Sequence, residues 1–476
     1  MDRQFQENLV ITEQLNVLDS AIILFFLVMF LVLPKIVSKR RHEKSDQEYL
    51  LMGRSLNMPL FVATPTATWY GGIFGVTQIA YLQGVYSFFT QGLFWYVAYF
   101  AFAVLLARKI RRHRVLSLPE LIGQKFGDGA RKFAAVILFF HALPVTYAIS
   151  VGLLLKLSLG LDFFWAMVLG VAVVAIYTSL GGFRSVVITD CLQFILMFAA
   201  VIMVIFACFT QIGGVSFLTS TLPARYFSWQ GEHQVSTALV WLFIACTSTF
   251  IHPVFYQRCL AAKSDGVAVK GIFIAMIFWL LFDVCTTLGG MYARAVLPNA
   301  DSSTAYLVLG MNLLPHGLRG LFLTGVLATI LSTLDSFMFV SGTSFSYDLV
   351  GKMKFFRGYE HPVAIVVSAF TVVLVGAIFE SNFEPLWLFM EGAFSTSMMV
   401  PAMASVLLKR RMSDYHFLIP SIFALIMYGS ATVLQKTGII TLEPFYLAHG
   451  TALTGFLFAL KTKTQGQAEI TKFADG

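Results

Sequence analysis

Residues 64–75 read TPTATWYGGIFG, and residues 247–254 read TSTFIHPV. Each string interrupts a long apolar run: the first puts Pro65 and the pair Gly71-Gly72 at mid-run, the second puts His252-Pro253 behind a row of small hydroxyls. Proline lacks the amide a helix interior needs and paired glycines are poor helix formers, so both runs are expected to break. A bilayer offers no water to satisfy the backbone groups thus freed, so a break there needs another partner. Counted in apolar runs, the second break falls five after the first. Five is odd, so a five-helix unit repeated at that step returns upside down. Paired broken helices at corresponding places are the sequence mark of an inverted-repeat transporter.

The rest of the chain agrees with that setting. Of 476 residues 58% are hydrophobic and only 12% charged, with a mean hydropathy of +0.77. Soluble domains carry roughly a quarter charged residues, so a soluble enzyme is excluded as the working reading. Runs of about 20 apolar residues give about thirteen expected spans: 18–37, 58–82, 84–107, 133–155, 161–180, 184–209, 235–256, 267–292, 318–347, 361–379, 384–408, 417–435 and 441–460. The expected fold class is therefore an all-α polytopic membrane protein with a five-plus-five inverted-repeat core, in one transmembrane domain over 1–476. An extra helix (18–37) precedes a first repeat (58–209) and an inverted second repeat (235–408), and two C-terminal helices (417–460) lead to a short tail (461–476). The first run is too long for a signal sequence and has only Arg3 ahead of it, so it reads as a retained anchor.

About 27 of the 33 Lys and Arg fall on one side of these spans, the side of Lys35 to Lys44, Arg108 to Arg114, Lys409-Arg410-Arg411 and the tail. The positive-inside rule then puts the N-terminus outside and the C-terminus in the cytoplasm. The net charge of +8 sits in these juxtamembrane patches, so no nucleic-acid partner is expected; the partners are the lipid bilayer and a small-molecule solute. The five cysteines lie in or beside apolar runs without metal-ligand spacing. No nucleotide-binding or hydrolase motif is present.

In the ninth run, LATILSTLDSFMFVSGTSFSYD (residues 327–348), Ser332 and Thr333 stand three and four residues beyond Thr329 and share its helix face. A carbonyl at Thr329 with two hydroxyls above it suits a small hard cation. A helix unwound at Gly71-Gly72 would add the carbonyls of Ala67 and Tyr70, which lose their i+4 amides. The blander reading has Ser332 and Thr333 bonding back to their own helix or to a neighbour.

Asp190, Asp283, Asp335 and Glu391 lie at membrane depth. An ionised carboxylate there costs at least about 2.5 kcal/mol, so each should face a cavity, a cation or a positive partner. Asp190 could equally cap a helix or pair with Arg184, and Asp283 could pair near a helix end. Trp69, beside the first break, could hold a cationic amine on its indole face or serve as packing. His252 is a solute ligand, a proton carrier or a satisfied histidine. Gln78, Gln91, Tyr96 and Tyr256 are further candidates to line a central cavity.

These strings resemble the sodium:solute symporter family over nearly the whole chain. The most specific pieces are YTSLGGFRSVVITDCLQ (177–193), LSLPELIGQKFG (116–127), YQRCLAAKS (256–264) and LATILSTLDS (327–336). The resemblance implies thirteen helices with a leucine-transporter-like core, alternating access, and a sodium site on Ala67, Tyr70, Thr329, Ser332 and Thr333. It implies a second cation position on Asp190, Asp335 and Ser336, beside Ser332. TATWYGG also resembles the choline-transporter branch, whose cage tryptophan matches Trp69 and a further cage position Tyr96, but His252 and about Val145 stand where that branch has tryptophans. The expected function is sodium-coupled import of a small organic solute, a quaternary amine such as choline or betaine leading over an amino acid, carboxylate or sugar. Proton coupling through His252, Asp335 or Glu391, and a non-transporting solute sensor, are the rivals. The expected location is a bacterial inner membrane or another plasma membrane; the oligomeric state stays open.

Overall fold

The computed structural model describes residues 15–39, 45–351, 358–379, 383–408 and 410–474, and over these the chain is helical, with one isolated bridge and no strand. Arg3, Arg40, Arg41, Lys44 and Lys409, which enter the orientation argument, lie outside the described residues.

Each of the thirteen expected spans has a helical counterpart. Among the described residues eight helices are long and apolar enough to cross a membrane, and a ninth arises if Val235–Ile251 and Pro253–Ala261, bent by 44°, count as one. One of the eight, Phe163–Gln211, holds two expected spans in 49 residues. Met58–Trp69 with Ile73–Gln83, Phe383–Leu407 and Pro444–Ala474 complete the set.

Three local outcomes differ from simple run-counting. The loop expected between 180 and 184 is absent: Gly182, at φ 58° and ψ −159°, turns one helix directly into the next, a backbone state that glycine reaches without a Cβ penalty. The 133–155 run is interrupted, as Asp128–His141 and Val145–Leu159 meet at Pro144, which cannot continue a helix. The third span begins with a π-helical turn, Phe88–Leu93, which re-aims the side chains that follow.

The two broken spans run in opposite directions. Leu56, at the entry of the first, pairs with the exit of the second: its amide donates to the Ala261 carbonyl at 3.1 Å, and the Lys263 amide donates to the Leu56 carbonyl at 2.8 Å. One span starts at this face and the other finishes there, as inversion requires.

The ninth span lies at the centre. The most apolar window of Leu318–Val350 is wholly buried, against 17% for Val17–Ile36. Small residues make this possible: a Cβ on Gly325 would lie 2.4 Å from the Ala200 Cβ, so the two backbones touch. Asp19 of the first helix caps the ninth, accepting from the amides of Gly317 (2.7 Å) and Gly320 (2.8 Å), where a carboxylate meets the positive end of the helix dipole. At the other end of the ninth span the LSLPELIGQKFG segment takes hold. Ser117 caps the helix Leu118–Phe126 and donates to Asp348 at 2.8 Å, and Arg131 donates to the same carboxylate at 3.1 Å.

Candidate functional site

The first break is a short 3₁₀ turn, Tyr70–Gly72, inserted between two α-helical halves. Its consequence is local: the amide of Gly71, which a continuous helix would give to Ala67, donates instead to the Thr333 hydroxyl at 2.8 Å. The freed Ala67 carbonyl accepts from the Ser332 hydroxyl at 2.8 Å. Both hydroxyls also lie 3.1 Å from the Thr329 carbonyl of their own helix. Four neutral oxygens, on Ala67, Thr329, Ser332 and Thr333, thus gather between the broken span and the ninth, on residues with no exposed surface. Tyr70 differs from expectation: its carbonyl accepts from the Ile73 amide within the 3₁₀ turn, and its side chain stacks on Phe282 at 3.8 Å.

Gly71 is what lets the two spans meet. A Cβ there would lie 2.5 Å from the Thr333 Cβ and 2.7 Å from the Tyr147 ring, whereas a Cβ on Gly72 meets no atom within 4 Å. Gly71→Ala should therefore push the ninth span away and lower the melting temperature, while Gly72→Ala stays close to wild type. Thermal unfolding of the two single variants checks this, and equal melting temperatures would refute the close approach.

One helical turn from Ser332 lies a second polar centre that the sequence reading populated only in part. Asp190, Asp335 and Ser336 do come together, but the cation among them is the guanidinium of Arg258. Its Nη2 donates to Ser336 at 2.6 Å, Thr64 at 3.1 Å and Thr68 at 3.2 Å and lies 3.6 Å from Asp190, while Nη1 donates to Gln257 at 2.8 Å. Thr64 donates to Asp190, and Tyr177 donates to Asp335 at 2.7 Å. Asp190 thus neither caps a helix nor pairs with Arg184, which binds Glu48 at 2.5 Å. Arg258 follows from the Pro253–Ala261 half-helix, which enters the bundle because the chain breaks at His252.

The third group surrounds Trp69. Its ring centroid lies 4.9 Å from Trp95, 5.2 Å from Tyr99, 5.6 Å from His252, 6.1 Å from Phe255 and 6.3 Å from Trp279. Behind His252, His141 sits at 6.4 Å and makes a 3.0 Å contact with Glu391. Tyr96 does not face Trp69; its hydroxyl donates to Asp283. Asp283 itself is mid-helix in Asp265–Val296, not near an end. The other polar candidates do not join this group: Gln78 donates to Ser302 at 3.1 Å, Gln91 to Thr90 at 3.5 Å, and Tyr256 to the Phe250 carbonyl at 3.0 Å. Val145 is buried at the start of its helix.

Arg258, His141, Trp95, Tyr99 and Trp279 were not singled out in the sequence. For Arg258 a signal existed, since four acids at membrane depth call for a cation and this arginine follows a predicted break. For the aromatic residues none did, in a chain that is 15% aromatic.

Known proteins set these features in a frame. The profile of the sodium:solute symporter family matches residues 49–408. The Sodium/mannose cotransporter SLC5A10 of Bos taurus is 24% identical over 448 residues, covering 83% of this chain and 74% of its own. The Sodium/pantothenate symporter of Haemophilus influenzae is 28% identical over 268 residues, 54% of this chain and 55% of its own. A Na+-coupled sialic acid symporter, solved in a substrate-bound outward-open state, superposes with a TM-score of 0.76 at 18% identity, covering 93% of this chain and 96% of that one. That likeness establishes the leucine-transporter fold. Nothing in these likenesses favours the choline branch. The chain is an integral membrane protein that belongs to the sodium:solute symporter family.

Proposed function

We propose that the protein imports a small organic solute by sodium-coupled alternating access, sodium binding at Ala67, Thr329, Ser332 and Thr333. The observation that carries this reading is the set of four buried neutral oxygens joining the broken span to the ninth. In the structure the hydroxyl protons satisfy the carbonyls; a cation among the same atoms would take over that role. The ion would thereby pin the segment that also carries Trp69, so that sodium and solute raise each other's affinity reciprocally. A single sodium site is proposed, because at Asp190, Asp335 and Ser336 the guanidinium of Arg258 already supplies positive charge. The N-terminus faces outward and the C-terminus the cytoplasm of a bacterial inner membrane or other plasma membrane, with residues 58–209 and 235–408 as the two repeats.

Trp69 and its neighbouring rings favour a solute with a cationic amine, betaine or choline among the candidates, over a sugar or a simple carboxylate. One observation favours a second coupling mode: the buried His141–Glu391 pair beside His252 has the composition of a proton carrier. The deciding experiment is uptake into proteoliposomes with imposed gradients. Solute accumulation that follows an inward sodium gradient at constant pH is expected. Accumulation driven by a pH gradient in sodium-free buffer would move the coupling to the histidines.

A further inference from the structure

Of the four acids at membrane depth, Asp190 faces Arg258, Asp335 shares that cluster and takes the Tyr177 hydroxyl, and Glu391 holds His141. Asp283 has no such companion. It is 3% exposed, the Tyr96 hydroxyl donates to it, the Tyr70 hydroxyl beside it is given to the Trp279 carbonyl at 2.8 Å, and among the described residues no cationic side chain pairs with it. An ionised carboxylate placed there needs a positive partner, and the described residues do not provide one.

Its position is defined by its neighbours. Asp283 lies one helical turn from Trp279, whose ring packs 4.5 Å from Tyr99 and 6.3 Å from Trp69. Tyr96 lies one residue from Trp95 and three from Tyr99, both against Trp69. Gly92, in the π-helical turn, brings its backbone onto the carboxylate: a Cβ there would lie 2.8 Å from Asp283 Oδ2. The Leu56–Lys263 pairing makes the first broken span and Asp265–Val296 start at one face and run the same way. Asp283 is therefore displaced from Trp69 in the same direction as Gly72 and Gly75, beside both of which there is open space.

We infer that Asp283, with the Tyr96 hydroxyl, forms the subsite for the positive nitrogen of the solute, a protonated or quaternary amine lodged between this carboxylate and the rings about Trp69. The inference rests on the symport reading and narrows its solute class. The aromatic faces attract the cation through their quadrupoles while the carboxylate supplies the full opposite charge. A sugar or a simple carboxylate would leave Asp283 without a counter-charge.

The test is thermal unfolding of the purified protein in sodium and in potassium at equal ionic strength. Choline, glycine betaine, proline and putrescine serve as amine probes, with mannose and pantothenate as the neutral and anionic ones. At least one amine probe is expected to raise the melting temperature, and mannose and pantothenate are not. Asp283→Asn is expected to weaken that response about 30-fold or more in concentration, the scale for removing one partner of a buried charge pair. Its sodium-induced rise should remain, which also reports that the variant is folded. Tyr96→Phe, which removes only the hydroxyl, should weaken the amine response less. A rise with mannose or pantothenate and with no amine, or an undiminished amine response in a folded Asp283→Asn protein, would overturn the inference. Absence of any sodium effect in the wild type is a different result: it sinks sodium coupling, while the amine responses still judge Asp283.

Discussion

Replacing Ser332 and Thr333 together by alanine is expected to abolish both the sodium-specific rise in melting temperature and sodium-driven solute uptake. The two hydroxyls are half of the four oxygens that gather at the break, and each does two things. Ser332 reaches across to the Ala67 carbonyl, and Thr333 receives the Gly71 amide. Losing them removes two cation ligands and also two bonds between spans. The second loss has a bounded cost, about 1 to 3 kcal/mol for each backbone group left buried without a partner, so the variant should melt lower in potassium yet still fold. The first loss has no such compensation. A ligand that binds only the folded state raises stability by about 2.7 kcal/mol at one hundred times its Kd, and that increment should disappear. Thr333→Ser keeps the oxygen and drops only a methyl group, so it should retain the sodium response. A double alanine protein that still shows the full sodium-specific rise would place the ion elsewhere.

The second large effect is expected at Arg258. Its guanidinium is 1% exposed and spreads over Ser336, Thr64, Thr68 and Gln257, with Asp190 at 3.6 Å. Removing one partner from a buried ion pair strands the other, typically at about 3 to 5 kcal/mol. Arg258→Met should therefore lower the melting temperature more than any single substitution at the sodium oxygens. Arg258→Lys should recover only part, since a single ammonium cannot reproduce the two-nitrogen fork. The decisive comparison is the double variant Arg258→Met with Asp190→Asn. If the arginine works by neutralising Asp190, removing both charges restores most of the lost stability. If the double variant melts no higher than Arg258→Met alone, Arg258 instead acts through its hydroxyl partners.

Reading the chain for breaks and spans located most of what matters for architecture, and specific residues show why. Pro65 with Gly71-Gly72, and His252-Pro253, announce interrupted helices because proline and glycine act on the backbone of their own segment, whatever packs around it. Thr329, Ser332 and Thr333 share a face by helix geometry alone, so their convergence was also legible. Losing the i+4 amide does not leave the Tyr70 carbonyl without a partner, because the 3₁₀ turn supplies an i+3 amide from Ile73. The resemblance makes Tyr96 a cage position alongside Trp69, but in the structure Trp95 and Tyr99 face that ring. Such an offset arises when a π-helical turn precedes the helix and shifts its facing.

What the sequence by itself determined is everything that depends on one segment and its solvent: membrane residence, the placement of the helical runs, the two breaks and the hydroxyl face of the ninth span. Hydropathy and backbone chemistry are local, and in a bilayer they leave few alternatives. What only the tertiary structure decided is which distant groups answer one another. Arg258 stands between Asp190 and Ser336; His141 meets Glu391; and Asp283 takes the Tyr96 hydroxyl and, among the described residues, no cationic side chain. Those pairings are set by the rotation and depth of helices far apart in the chain, quantities that arise from packing small residues such as Gly71 and Gly325 against their neighbours.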